Sequence, residues 1–131
     1  MLKSKLFSTT LTLALFTCLS PQSHADFLAS WEPKEAQEKI QNQDFIIIDV
    51  RSPEEFAGGH LPNAINLPHT DIQSDDPRLL NWKNQNVLLY CRSGRRAAMA
   101  EETLSGLGFD HLYHLNGDFM GWEAANMPIE K

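Results

Sequence analysis

The sequence predicts a single α/β domain with a central parallel sheet flanked by helices. Stretches of β-branched and aliphatic residues, typical of strands covered on both faces, alternate along the chain with stretches of helical periodicity. This alternation is the pattern of strand–helix–strand units, which build parallel sheets. No internal repeat or low-complexity linker divides the chain, and its length after residue 25 suits one domain.

The first 25 residues have the pattern of a cleavable export signal. Lys3 and Lys5 precede an apolar run at residues 6–19, and S-H-A at 23–25 offers the small-x-small motif that signal peptidase cuts. A membrane anchor is disfavoured because a spanning helix needs roughly 20 apolar residues. A lipoprotein that uses Cys18 is the minority alternative. We expect a signal peptide at 1–25, a mature domain at 26–131 and a periplasmic location without membrane attachment after cleavage.

Charge and cysteine content narrow the function of the mature domain. Removing the signal takes the formal net charge from −6 to −8, because it holds two lysines and no carboxylate. So acidic a surface argues against nucleic acid or an anionic membrane as a partner. Cys18 leaves with the signal, so Cys91 remains alone and cannot close an internal disulfide. A lone thiol in an oxidising compartment is unusual, which points to a functional role.

The first half of the mature chain predicts two helices and two strands. Pro33 stands at the first position of a helix that ends near Gln41. Residues 44–50, D-F-I-I-I-D-V, indicate a strand buried on both faces. The S-P-E-E motif at 52–55 is a capping box with proline at N1, so a short helix follows. A short strand is predicted at 64–67.

The second half repeats the alternation. Residues 71–82 are polar and predict an irregular or weakly helical segment, and N-V-L-L-Y at 86–90 predicts the second buried strand. A helix ending at Gly108 follows, and one apolar face carries Ala97, Ala100, Leu104 and Leu107. A last strand at 111–115 and a turn into a short helix at 117–125 complete the pattern.

The segment C-R-S-G-R-R at residues 91–96 carries the candidate chemistry. Parallel sheets bind ligands beyond the carboxyl ends of their strands, and Cys91 directly follows a buried strand. A loop this short points several amide N–H groups inward, and the next helix adds its positive N-terminal end. Three nearby arginines raise the positive potential further. Such surroundings bring a cysteine pKa from about 8.5 to roughly 3.5–7.5, which predicts a nucleophilic thiolate.

Four ordered blocks of the sequence resemble the single-domain rhodaneses. Residues 90–109, which begin Y-C-R-S-G-R-R-A-A, resemble the strand, loop and helix of that family's active site. I-I-D-V-R-S-P-E-E-F at 47–56, G-H-L-P-N-A-I-N-L-P at 59–68 and L-N-G-D-F-M-G-W at 115–122 resemble the other blocks. The blocks span about the whole mature chain in the right order. The resemblance therefore implies a rhodanese-like three-layer fold, with the parallel sheet between helices.

The resemblance also implies a sulfur-transfer reaction. The Cys91 thiolate would take a sulfane sulfur from thiosulfate or a similar small anionic donor and hold it as a persulfide. Cyanide, a small thiol or a thiol protein would then remove it, with no cofactor. The expected substrate-binding residues are Arg92, Ser93, Gly94, Arg95 and Arg96. Arginine suits the donor's oxygens through its fork of N–H groups, and we favour Arg96 and Arg92 for this role.

Three further residues are expected to support the loop from outside it. The family keeps an aspartate and an arginine that support the loop at the end of the second strand. Here these are Asp49 and Arg51, for which a structural ion pair and a catalytic role are equal expectations. His60, in G-H-L-P, is interpreted as a hydrogen-bonded hinge residue in preference to a base. No metal is predicted, because the histidines lack ligand spacing and no second cysteine helps.

The chain departs from the family pattern at three turns. Asn63, Asp118 and Asn126 stand where the family commonly has glycine. Asn and Asp are the residues besides glycine that best tolerate left-handed backbone, so we expect the turns to survive. Asp118 is expected to reshape the rim of the pocket by adding negative charge near a site for anions.

Other functions are compatible with the same fold. A phosphatase or arsenate reductase would have its arginine six places after the cysteine, where this chain has Ala97; Arg96 comes five places after. A non-catalytic binding module usually lacks the loop cysteine or glycine, whereas this chain has Cys91 and Gly94. A sulfur carrier with a protein acceptor would use the same persulfide, and the sequence does not separate it from a small-molecule enzyme.

Overall fold

The computed structural model describes Ala14 and residues 25–131. The rest of the expected export signal lies outside the described residues, so cleavage after Ala25 stays a prediction. No helix in the described part of the chain is long and apolar enough to cross a membrane.

A five-stranded parallel sheet forms the centre of the described chain. Its strands are β1 (Ala29–Trp31), β2 (Ile46–Asp49), β3 (Ile65–Asn66), β4 (Val87–Tyr90) and β5 (Leu112–Leu115). Their order across the sheet is β1-β5-β4-β2-β3, with every neighbouring pair parallel. The predicted parallel sheet is thus confirmed. Cys91, the first residue after central strand β4, stands at the sheet's carboxyl edge, where such folds bind ligands.

Helices cover the sheet and agree with the predicted order. They are α1 (Pro33–Asn42), α2 (Pro53–Gly58), α3 (Pro77–Trp82), α4 (Arg95–Gly106) and α5 (Asp118–Ala124), with a 3₁₀ turn at His69–Asp71. The capping box at α2 is present: the Ser52 hydroxyl accepts from the Glu55 N–H, and the Glu55 carboxylate accepts from the Ser52 N–H. In α4, the buried positions include three of the predicted face, Ala97, Ala100 and Leu104.

Two apolar clusters lie on opposite faces of the sheet. Val87 and Leu89 belong to one cluster, whereas Leu88 and Tyr90 belong to the other. Successive residues of a strand point to opposite faces, so both faces of β4 need apolar side chains. This explains the unbroken apolar run that marked β4 in the sequence.

Two elements differ from the prediction. β1 was not predicted; three residues at the sheet edge are too short for a pattern, and their partners on β5 are distant in sequence. Residues 77–82 form a regular helix, α3, within the segment 71–82 that we expected to be irregular or weakly helical. The Asp76 side chain accepts from the Arg78 N–H and Pro77 occupies N1, so a capping signal was present in the sequence.

Candidate active site

The sulfur of Cys91 lies at the start of helix α4. Cys91 is only 1% exposed and forms no disulfide within the part of the chain that the structure describes. The Gly94 N–H donates a hydrogen bond to Cys91 Sγ, with 3.0 Å between nitrogen and sulfur. Gly94 caps α4 with a φ of +116°, a conformation that side chains rarely adopt, so glycine lets the amide turn back toward the sulfur. The amide and the positive end of the helix both stabilise negative charge on Sγ.

The first residues of α5 bind the cysteine loop, which is the segment 91–94 between β4 and α4. The Asp118 carboxylate accepts from the Cys91 N–H at 3.0 Å. The Phe119 N–H donates to the Cys91 carbonyl at 2.9 Å, and the Met120 N–H donates to the Arg92 carbonyl at 3.2 Å. Three consecutive residues of α5 therefore fix the backbone of the loop.

A cavity of about 410 Å³ opens beside the sulfur. Its lining residues are His69, Cys91, Ser93, Arg95, Arg96 and Met99. Three predicted binding residues, Ser93, Arg95 and Arg96, thus gather around Cys91. The Arg92 side chain is exposed and does not line the cavity, so the structure does not bring this favoured residue to the sulfur. Sequence reasoning missed His69 and Met99, although Met99 follows Arg95 by four residues on the same face of α4.

Arg96 is held in a two-pronged ion pair with Glu55. Its two terminal nitrogens donate to the two Glu55 oxygens at 2.6 and 3.0 Å. The hydrogen bond from Arg96 lowers the pKa of Glu55 to about 2. Because Glu55 also closes the capping box of α2, that helix orients the arginine at the edge of the cavity.

Asp49 and Arg51 form a buried ion pair behind the loop. Arg51 Nη2 donates to Asp49 Oδ2 and to the Gly59 carbonyl, both at 2.6 Å, and the two side chains are 3% and 0% exposed. The guanidinium carbon also lies 4.1 Å from the ring centroid of Phe119. The pair does not line the cavity, and its contact with the loop runs through Phe119, whose N–H bonds the Cys91 carbonyl.

His60 lies away from the cavity, in a structural position. Its Nδ1 is 2.8 Å from the Phe56 carbonyl, and its ring stacks on the Phe56 ring at 3.7 Å. Its backbone exchanges hydrogen bonds with Glu130. These contacts fit a hinge residue that joins α2 to the C-terminal segment.

Comparison with known families assigns this architecture. Residues 32–125 match the rhodanese-like domain family. The chain belongs to this family. A sulfurtransferase of Allochromatium vinosum is 32% identical over 97 residues, covering 72% of this chain and 86% of the relative. Thiosulfate sulfurtransferase PspE of Escherichia coli is 36% identical over 70 residues, covering 53% of this chain and 67% of the relative. An uncharacterized Synechocystis protein is 32% identical over 99 residues; the match covers 76% of this chain but only 54% of that protein.

Solved structures agree with the rhodanese-like assignment. A rhodanese-related protein of Thermoplasma volcanium is 25% identical with a TM-score of 0.66, over 78% of this chain and 97% of that one. A rhodanese-like domain protein of Staphylococcus aureus is 32% identical with a TM-score of 0.61, over 72% and 91% of the two chains. A Rhodopseudomonas palustris protein described as a possible tyrosine phosphatase is 25% identical with a TM-score of 0.66, over 78% and 84%.

The three departures from the family pattern all occupy left-handed turns in this rhodanese-like domain. The φ angles are +64° at Asn63, +54° at Asp118 and +55° at Asn126, which confirms that the turns survive without glycine. The expectation that Asp118 shapes the rim of the pocket was wrong. Asp118 is 1% exposed and does not line the cavity, because its carboxylate turns inward to accept from Cys91.

Proposed function

We propose that this rhodanese-like domain transfers a sulfane sulfur from thiosulfate, or a similar small anionic donor, through a persulfide on Cys91. One observation carries this proposal. The Cys91 sulfur accepts a hydrogen bond from the Gly94 N–H, and Arg95 and Arg96 line the cavity beside it. The names of two relatives, sulfurtransferase and thiosulfate sulfurtransferase, support this proposal.

In the first step, the Cys91 thiolate attacks the terminal sulfur of thiosulfate. A sulfur–sulfur bond forms to Cys91, the sulfur–sulfur bond of thiosulfate breaks, and sulfite leaves with the bonding electron pair. No proton moves, and neither a metal nor a cofactor is required. Because Cys91 is almost fully buried, a slim donor with a terminal sulfur suits the site.

In the second step, a nucleophilic acceptor removes the outer sulfur. Cyanide attacks that sulfur and leaves as thiocyanate, while the electron pair of the broken bond returns to Cys91 as thiolate. A thiol acceptor leaves as a persulfide by the same route, and the thiol of a partner protein would make the domain a sulfur carrier. Dividing the transfer into two displacements is the benefit of covalent catalysis.

Arg95 and Arg96 are the proposed binding groups for the donor's sulfonate oxygens. Both line the cavity beside Cys91, and a guanidinium offers several N–H donors in a fixed plane. Glu55 occupies the two terminal nitrogens of Arg96, which holds the guanidinium in one orientation before the donor arrives. The cavity thus offers N–H donors to an anion, although the formal net charge of the chain is −6.

Phosphatase activity is the alternative with a specific observation behind it, the likeness to the Rhodopseudomonas palustris protein. The arginine that phosphatases place six residues after the cysteine is replaced by Ala97, which is fully buried against the core. We therefore expect no hydrolysis of p-nitrophenyl phosphate. Hydrolysis that the Cys91→Ser variant loses would favour the phosphatase instead.

We propose a periplasmic location after removal of residues 1–25. The support is the pattern of the sequence: two lysines, an apolar run and a small-x-small motif. N-terminal sequencing of the exported protein should find Asp26 first. A chain recovered only from the cytoplasm with Met1 in place would contradict the proposal.

Turnover of thiosulfate with cyanide tests the function. The wild-type chain should form thiocyanate, and Cys91→Ser should form none, because a hydroxyl cannot carry a persulfide sulfur. Circular dichroism of the variant checks that its fold is intact. Comparable turnover in the folded variant would exclude Cys91 as the nucleophile.

A further inference from the structure

Asp118 places a buried carboxylate under the cysteine loop. The residue is 1% exposed, and its Oδ1 accepts from the Cys91 N–H at 3.0 Å. His114 Nε2 lies 3.1 Å from both carboxylate oxygens. An ionised carboxylate can only accept hydrogen bonds, so Nε2 is the donor in this contact. The carboxylate therefore joins β5 to the residue that bears the reactive sulfur.

The backbone at Asp118 is in a conformation that favours glycine. Its φ of +54° lies in the left-handed region, which aspartate tolerates better than most side chains but less well than glycine. Asn63 and Asn126 share this conformation, but both are exposed at the surface. Asp118 alone of the three is buried, and its carboxylate contacts two other residues. Strain that persists at such a position is a reason to look for a function there.

The carboxylate reaches both ends of the loop. A Cβ atom added to Gly94 would lie 3.1 Å from Asp118 Oδ2, so this oxygen lies directly behind Gly94. The Gly94 N–H is the group that donates to Cys91 Sγ. Asp118 thus binds the first residue of the loop and abuts the residue that stabilises the sulfur.

We propose that Asp118 is a positioning residue for the Cys91 nucleophile, and that His114 orients its carboxylate. The proposal rests on the proposed sulfurtransferase function and deepens it. Asp118 fixes the Cys91 peptide so that Sγ and the Gly94 N–H keep their alignment while the sulfur attacks the donor. His114 is itself held, since its ring stacks on the Phe27 ring at 4.9 Å. Donor binding is left to the cavity, which Asp118 does not line.

Two substitutions at Asp118 separate the hydrogen bond from the other properties of the residue. Asp118→Gly suits the left-handed backbone but removes the acceptor, whereas Asp118→Asn tolerates that backbone and keeps an oxygen. Asp118→Gly should lower kcat for thiosulfate by about tenfold or more with KM little changed, because a misplaced reacting atom slows the chemical step. Asp118→Asn should restore most of kcat.

Hydrogen exchange of the Cys91 amide gives a second readout that needs no sulfur chemistry. The amide should exchange about tenfold faster in Asp118→Gly than in wild type, because its acceptor is lost, and at nearly the wild-type rate in Asp118→Asn. Asn126→Gly is the matched control: it removes a side chain from an exposed left-handed turn and should change neither quantity. His114→Phe keeps a ring against Phe27 and removes the donor, so kcat should fall there too.

Different results overturn different parts of this account. Wild-type kcat in both Asp118→Gly and His114→Phe would refute the positioning role while leaving the sulfurtransferase function intact. An Asp118→Asn variant as slow as Asp118→Gly would refute the hydrogen bond as its basis. If Asp118→Gly fails to fold, His114→Phe and Asp118→Asn decide alone. A wild-type chain that takes no sulfur from thiosulfate would refute the proposed function, and the positioning role with it.

Discussion

At the scale of single residues, the site combines a buried sulfur with charges that are already paired. Cys91 receives the Gly94 N–H, and Arg96 reaches the same cavity while bound to Glu55. Arg95 lines the cavity from an exposed position on the first turn of α4. The sequence predicted that Cys91 and Arg96 lie together, but it favoured Arg92 over Arg95, and Arg95 is the one that lines the cavity. It did not predict their partners, because Glu55 and Asp118 are 41 and 27 residues distant from theirs.

Alanine substitutions distinguish the three arginines of the loop. Arg95→Ala and Arg96→Ala should each raise KM for thiosulfate by about tenfold or more, since a hydrogen bond to a charged group contributes roughly 1.5–3 kcal/mol. Arg92→Ala is the matched control and should leave KM near the wild-type value, because Arg92 does not line the cavity. Steady-state kinetics in thiosulfate measures all three. A rise confined to Arg92→Ala would reverse the assignment.

The ion pair of Glu55 with Arg96 predicts a dependence of stability on pH. The pKa of Glu55 falls from its usual 4.5 to about 2 in the folded chain, chiefly through the hydrogen bond from Arg96. A depressed carboxyl pKa stabilises the fold above pH 4.5, and this contribution is lost as the pH falls toward 2. Both side chains are partly exposed, so the contribution is about 0.2–1 kcal/mol.

Glu55→Gln tests this dependence, because glutamine can still close the capping box. In urea unfolding at pH 7, the free energy of unfolding should be about 0.2–1 kcal/mol higher for the wild type than for the variant. This difference should shrink by pH 3. A difference that stays constant with pH would contradict the pairing.

At the scale of elements, helix α4 determines where the sulfur sits. Gly94 caps its first turn with positive φ, and Gly106 is its last residue. The sequence predicted α4, the capping box of α2 and the buried strands β2 and β4, because each has a local pattern of its own. β1 has no such pattern: its three residues are ordered by the ladder to β5, which is a long-range contact.

Alanine at Gly94, which caps α4, and at Gly106, its last residue, should change the stability of the fold in opposite directions. A Cβ at Gly94 would meet Asp118 Oδ2 at 3.1 Å in a left-handed conformation, so Gly94→Ala should destabilise by about 1–3 kcal/mol and impair sulfur transfer. A Cβ at Gly106 meets nothing within 4 Å, so Gly106→Ala should stabilise by about 0.4–1 kcal/mol with activity unchanged. Denaturation and turnover of both variants check the pair. A stable, active Gly94→Ala would show that the loop does not need glycine.

At the scale of the whole molecule, Arg51 connects elements that are separate in sequence. It bonds Asp49 at the end of β2, reaches the Gly59 carbonyl beyond α2 and lies over Phe119 of α5. The fold class, the family and the place of the site followed from local patterns and ordered motifs. The Asp49–Arg51 ion pair was already expected from the sequence, because the two residues are close neighbours in the chain. The contacts of Arg51 with Phe119 and of Asp118 with Cys91 did not follow, since they form only when distant segments come together.

A matched pair of aspartates tests this network. Asp49–Arg51 and Asp76–Arg78 have the same spacing and similar hydrogen bonds, but Arg51 is 3% exposed and Arg78 is 47% exposed. Asp49→Asn leaves a buried charge uncompensated and should destabilise by about 3–5 kcal/mol. Asp76→Asn breaks a pair whose arginine is exposed, and asparagine can still cap α3, so the loss of stability should be much smaller. Equal losses in urea unfolding would refute a special role for burial.

The central claim, that Cys91 carries the transferred sulfur, is tested most directly by mass spectrometry. After treatment with thiosulfate, the peptide that contains Cys91 should gain about 32 Da, the mass of one sulfur atom, as covalent catalysis through a persulfide requires. Addition of cyanide should remove that mass and release thiocyanate. Mapping the gain to a peptide matters because the full chain also contains Cys18. A Cys91 peptide of unchanged mass, while thiocyanate still forms, would contradict the account.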